Sequence, residues 1–130
     1  MIEVKKISNK GRGVIATQDI PKETLIEVAP VGIFTFTLEQ KSIIKETEIF
    51  KYYFVDSLED GNSEKLKGYL VFGLASLCNH GENPNTYVKW IDDEIGLWSH
   101  LIAQKDIKVG EEVTLFYTNI DEYADAYKFV

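Results

Sequence analysis

Short apolar runs rich in β-branched and aromatic residues, with turn residues between them, recur along the whole chain and leave it little choice but a mostly β fold. They fall at residues 2–7, 14–17, 25–28, 31–36, 49–55, 69–72, 86–91, 95–102 and 113–117, with breaks such as Asp92-Asp93 and Val109-Gly110 between them. The chain therefore reads as mainly β. Helical signals are confined to two places. Thr37 with Gln40 resembles a capping box ahead of a short helix ending at Ile44, and residues 121–129 suit a terminal helix that stacks Tyr123 on Tyr127. Residues 56–67 form the most polar stretch and are expected as a surface loop.

A length of 130 residues fits one domain with a sizeable core, so residues 1–130 are expected to fold as a single unit. With 45% hydrophobic and 27% charged residues the balance is that of a soluble globular protein. No apolar run approaches the roughly 20 residues that span a bilayer, and residues 1–5 lack the apolar core of a signal peptide. An intracellular setting, in the cytoplasm or the nucleus of a host cell, is the simplest reading. Cys78 is the only cysteine, and two histidines give no cluster at metal-ligand spacing, so neither an internal disulfide nor structural zinc is expected. A formal charge of −7 argues against direct nucleic-acid binding, which draws its affinity from Lys and Arg on phosphates. It suits a basic protein or peptide partner, although acidity also serves solubility alone. Exposed strand edges in so small a β-protein leave a homodimer open.

One internal echo stands out. Ile15-Ala16-Thr17-Gln18-Asp19-Ile20 returns as Ile102-Ala103-Gln104-Lys105-Asp106-Ile107, an offset of 87 residues from Ile15 to Ile102. Each copy precedes another strand through a turn, Pro21-Lys22 or Val109-Gly110. Two copies cannot build a solenoid, and they read as two similar hairpins within one fold.

Three motifs carry chemistry, and each alone also has a plain structural reading. Gly11-Arg12-Gly13 leads straight into a strand; its glycines allow positive φ and close backbone approach to a ligand, but a simple tight turn would look the same. Asn79-His80-Gly81-Glu82-Asn83-Pro84-Asn85 follows the apolar run 72–78, so its polar groups are expected partly buried and in need of partners from the protein or a ligand. Gly110-Glu111-Glu112-Val113-Thr114-Leu115-Phe116-Tyr117 is a turn feeding a strand that ends in tyrosine, equally a core aromatic.

Taken in order, Gly-x-Gly, Asn-His-x-x-x-Pro-Asn, Ala103-Gln104-Lys105-Asp106-Ile107 and Gly-Glu-Glu-x-x-x-x-Tyr resemble the SET-domain protein-lysine methyltransferases, in a compact form like the viral and bacterial members. The likeness runs from Lys6 to Tyr117. It implies a SET-domain, β-clip-like fold of several small sheets with few short helices and a knot-like C-terminal threading. Residues 1–117 would form the core, and residues 118–130 would cover the cofactor site. It further implies S-adenosylmethionine as methyl donor, held by Gly11, Arg12 and Gly13 and by Asn79 and His80. Tyr117 would lie beside the transferring methyl. Tyr52, or less favourably Tyr53, would line the channel for the substrate lysine, and Tyr123, Tyr127 or Phe129 would stack on the adenine. Histone tails are one basic substrate this implies.

The residue types suit that chemistry. Transfer needs alignment and a neutral amine, and an apolar tyrosine-lined channel lowers a lysine pKa from its usual value near 10.4. Tyr117 is then expected to orient the amine and not to act as a strong base. The chain departs from the usual family pattern at Ser76-Leu77, where Arg-Phe is common, and at Leu115-Phe116, where Phe-Asp is common; the second leaves the degree of methylation open. Two other readings remain. One is a non-catalytic SET-like module that binds a basic peptide or the donor. The other is a β-clip module of sugar-handling proteins, which accounts for residues 11–30 only.

Overall fold

The computed structural model describes residues 1–44, 46, 52–56 and 65–116. Among them run nine strands: β1 Ile2–Ile7, β2 Gly11–Ala16, β3 Leu25–Thr37, β4 Tyr53–Asp56, β5 Lys65–Val71, β6 Asn79–His80, β7 Thr86–Asp92, β8 Leu97–Ala103 and β9 Glu112–Leu115. One helix, α1 (Leu38–Ile44), and a 3-10 turn at Leu74–Leu77 complete the described elements. The strands form a four-stranded sheet in the order β1-β2-β9-β6 and a five-stranded sheet in the order β4-β5-β3-β8-β7. The mainly β expectation holds, with two small sheets and one short helix among the described residues.

The boundaries differ in instructive ways. Residues 25–28 and 31–36, expected as two strands, are one 13-residue strand, β3, that runs through Pro30. Proline lacks the N–H a ladder needs, yet here the strand changes partners at that point. β3 pairs β8 up to Pro30↔Trp98 and β5 from Val31↔Val71. The Pro30 carbonyl still accepts a bond from the Phe72 amide at 3.0 Å. The polar stretch 56–67 is only partly a loop candidate, because Asp56 closes β4 and Lys65–Lys67 belong to β5. Hydrogen bonding to a partner strand overrides local polarity there. β4 begins at Tyr53, later than the expected residue 49; residues 47–51 and the terminal helix at 121–129 lie outside the described residues.

The capping box is realised in both directions. Gln40 N donates to Thr37 Oγ1 at 3.1 Å, and Thr37 N donates to Gln40 Oε1 at 2.9 Å, so α1 starts where those two residues direct it.

The echo at 87 residues is a local two-fold. Ile20 N donates to the Ile107 carbonyl at 2.7 Å, and Ile107 N donates to Ile20's at 2.8 Å. Val109 N donates to Asp19 Oδ1, and Lys22 N to Asp106 Oδ1. Gly110 N binds the Ala16 carbonyl, and Glu23 N the Ala103 carbonyl. Glu23 and Gly110, equivalent under the offset, both take positive φ, 75° and 88°. Ala16, Ile20, Ala103 and Ile107 close into their own small core. A larger core of Val14, Ala29, Val71, Ala75, Cys78, Leu101, Val113 and Leu115 joins the two sheets beneath the three motifs.

Candidate active site

The three motifs meet through β6 and β9. These strands pair in parallel, Asn79↔Thr114 and His80↔Leu115, and Gly81 N donates to the Leu115 carbonyl at 2.9 Å. β9 in turn pairs β2 at Val14↔Val113 and Ile15↔Glu112. Gly11-Arg12-Gly13 lies beyond that ladder and is paired on its other side with Ile7, Lys6 and Lys5 of β1.

Asn79, 6% exposed, joins all three. Its Nδ2 donates to the Arg12 carbonyl at 3.2 Å and to Glu112 Oε2 at 2.7 Å. Both partners are acceptors, which fixes the amide's orientation and leaves Oδ1 to accept from elsewhere. Glu112 Oε1 receives Lys10 Nζ at 3.1 Å, so one carboxylate links the turn before β2 to the loop after the 3-10 turn. Asn85, the last residue of its motif, is equally engaged. Its Nδ2 donates to the Glu112 carbonyl at 2.8 Å, and its Oδ1 accepts from Thr114 N at 2.9 Å. Thr86 Oγ1 donates to the Thr114 carbonyl at 2.7 Å. His80, 1% exposed, has Nε2 at 3.4 Å from Glu82 Oε1, and its ring lies 4.8 Å from that of Phe116.

The two glycines of the first motif serve different needs. Gly11 takes φ 78° and an added Cβ would meet nothing within 4 Å, so its backbone faces open space. At Gly13 a Cβ would overlap Ile7 Cγ1 and stand 2.8 Å from Asn79 Nδ2, so close packing is the reason there.

Arg12 points away from this knot of bonds. Its Nη2 donates to Tyr52 Oη at 2.7 Å, and its guanidinium carbon lies 5.9 Å from the centroid of the Tyr52 ring. Two residues on, Phe54 meets Trp90 edge to face at 5.5 Å, and Tyr69 lies 5.0 Å from Trp90. Tyr52 thus meets the glycine turn through Arg12, while Phe54 and Trp90 pack against the larger core. Of the residues singled out from sequence, Gly11, Arg12, Gly13, Asn79, His80 and Tyr52 come together; Tyr117 and Tyr123 lie outside the described residues.

Sequence reasoning left Glu112, Asn85 and Lys10 without roles, though the first two stand inside the quoted motifs. Glu27 went unnoticed. Its carboxylate accepts from Leu74 N at 2.9 Å and Ala75 N at 3.1 Å, holding the 3-10 turn that delivers Cys78 and Asn79. Nothing in its surroundings in sequence marks it, since its partners lie 47 and 48 residues away. Burial, and then the nearby Glu27 and Glu112 carboxylates, push the Cys78 thiol well above its ordinary range. Among the described residues no group of His, Cys, Asp or Glu is placed to hold a metal, and no helix is long and apolar enough to cross a membrane.

Comparison with known proteins gives a consistent result. The SET domain family matches residues 11–118. The chain is 33% identical over 116 residues to a Schizosaccharomyces pombe histone-lysine N-methyltransferase named as H3 lysine-37 specific, covering 89% of this chain and 72% of that protein. It is 34% identical over 124 residues to the Saccharomyces cerevisiae histone-lysine N-methyltransferase named as H3 lysine-36 specific, covering 94% of this chain and 16% of that protein. It therefore spans only about a sixth of the length of this second relative. Among solved structures, CpSET8 from Cryptosporidium superposes with a TM-score of 0.66 at 24% identity, over 91% of this chain and 57% of that one. The Neurospora SET domain protein DIM-5 superposes with a TM-score of 0.61 at 22% identity, over 91% and 52%.

Proposed function

Because the chain belongs to the SET-domain family, we propose that it is a protein-lysine N-methyltransferase that uses S-adenosylmethionine and acts on basic protein segments, histone tails first among them. The observation that carries this reading is the bridge made by Asn79, whose one amide nitrogen binds both Arg12 and Glu112 and so gathers the three motifs at a single point. The names of the relatives supply the substrate class.

In this reading the backbone at Gly11–Gly13, with Asn79 and His80, receives the donor's amino-acid end. When bound, the donor supplies an electrophilic methyl group on a positively charged sulfonium. The protein's own task is to bring up a neutral lysine amine in line. Apolar surroundings disfavour the ammonium form, and Tyr52, tied to the glycine turn by Arg12, would line the approach for the lysine stem. Tyr117 would orient the amine through its hydroxyl. Residues 118–130 would cover the donor, Tyr123 being the residue proposed to stack on its adenine. A histone substrate implies a nuclear or other intracellular site of action.

The test is transfer of labelled methyl from S-adenosylmethionine to histones and lysine-rich peptides, with mass spectrometry to locate the modified residue. Tyr117→Phe is expected to lower kcat at least about a hundredfold, the lower end for loss of a group acting in the transition state; full activity in that variant removes Tyr117 from the mechanism. Peptide binding without transfer across a broad substrate panel marks a non-catalytic module instead. Deletion of residues 121–130 is expected to weaken donor binding, and unchanged affinity removes their covering role.

A further inference from the structure

Arg12 belongs to two parts of the site at once. Its main chain lies in the glycine turn, where its carbonyl is held by Asn79 Nδ2, while its side chain crosses to Tyr52, 40 residues away in sequence. The contact is doubly specific, with a 2.7 Å hydrogen bond onto the phenol oxygen and the guanidinium over the ring at 5.9 Å. Both groups are solvent-accessible, and an exposed contact of this kind contributes little to stability. Its effect is on position. Tyr52 stands one residue before β4, and β4 carries Phe54 into the aromatic wall with Trp90 and Tyr69. Whatever settles the backbone of Arg12 also settles the direction from which its side chain holds Tyr52.

We infer that the Arg12–Tyr52 contact couples the two halves of the site: a ligand seated on the Gly11–Gly13 backbone fixes Arg12, Arg12 fixes Tyr52, and the peptide-binding side is thereby set in place. Arg12 is a positioning residue for the substrate side in addition to lending its backbone to the donor side. By linkage the coupling is reciprocal, so bound peptide tightens the donor by the same factor. The inference rests on the functional reading above for the identity of the two ligands.

The experiment measures binding of a fluorescent basic peptide spanning the H3 lysine-36 region by anisotropy, with and without saturating S-adenosylhomocysteine. The proteins are the full chain and its Arg12→Gln, Arg12→Lys, Tyr52→Phe and Arg12→Gln/Tyr52→Phe variants. The unaltered protein is expected to bind peptide at least about fivefold tighter with the nucleoside present, the lower end of ordinary coupling. Arg12→Gln and Tyr52→Phe each bring that ratio toward one, and the double variant is no worse than either, as residues acting through one contact require. Arg12→Lys, which keeps a cationic donor but not the planar fork, recovers part of the ratio. In turnover assays the single variants raise peptide KM more than they lower kcat. Single variants that keep the wild-type ratio, or an unaltered protein with a ratio of one, overturn the inference. An unaltered protein that shows the ratio but transfers no methyl group upholds the coupling and defeats the functional reading, so the two failures are distinct.

Discussion

Asn79 commits its amide nitrogen to holding two distant stretches of chain together. Asn79→Ala removes two partly buried hydrogen bonds and leaves Glu112 Oε2 and the Arg12 carbonyl short of a donor. We expect a loss of about 1–3 kcal/mol per orphaned group in urea unfolding, accompanied by weaker donor binding in calorimetry. Gly13→Ala should also disturb the site, because the new methyl meets Ile7 and Asn79 directly, whereas Gly11→Ala faces open space and costs only the strain of φ 78°. Cys78 gives a pH prediction. Its folded-state pKa is raised, so the native thiol keeps its proton where the unfolded chain has lost it. Its contribution to stability is thus complete below the ordinary thiol value of about 8.5 and declines as pH rises above it. Alkylation by iodoacetamide at pH 8 should be slow in the native protein and fast in denaturant, and Cys78→Ala should flatten the alkaline fall in stability. At this scale the motif residues were readable because chemistry and spacing coincide in them. Glu27 was not, since a carboxylate that caps a turn 47 residues away leaves no trace near itself in the chain.

Among the elements, the local two-fold yields the sharpest comparison. Glu23 and Gly110 occupy matching places with φ of 75° and 88°, but only one of them is glycine. Gly110→Ala should cost about 1–2 kcal/mol, the penalty for a side chain in the left-handed region, and Glu23→Gly should be neutral or stabilising; chemical unfolding of the two variants measures the difference. The hairpin echo and the start of α1 were visible beforehand, because a repeated hexamer and a capping pair are local signals. The continuity of β3 was not. Pro30 looks like a break when judged by its own missing N–H, and only the change of partner from β8 to β5 at that residue explains why the strand passes through it. Lys65–Lys67 failed for a related reason, their strand character being imposed by pairing with residues 35–37 of β3.

For the whole molecule, a net charge of −7 set against the basic substrate proposed above predicts that peptide KM rises with ionic strength while kcat changes little. A salt series in steady-state kinetics reads this, and a flat KM would mean that the acidity serves solubility alone. Fold class was legible from the density of short strands, but the arrangement of the two sheets was not. Parallel pairing of a two-residue strand with a partner more than thirty positions later has no periodicity to betray it. That pairing has a consequence during biosynthesis. Residues 10–13, 79–80 and 112–115 must all have emerged from the ribosome before the Asn79 bridge can close. The Asn79 bridge is therefore among the last features to mature, and, if the proposed donor site is built on it, a nascent chain halted before residue 112 should be unable to retain the nucleoside.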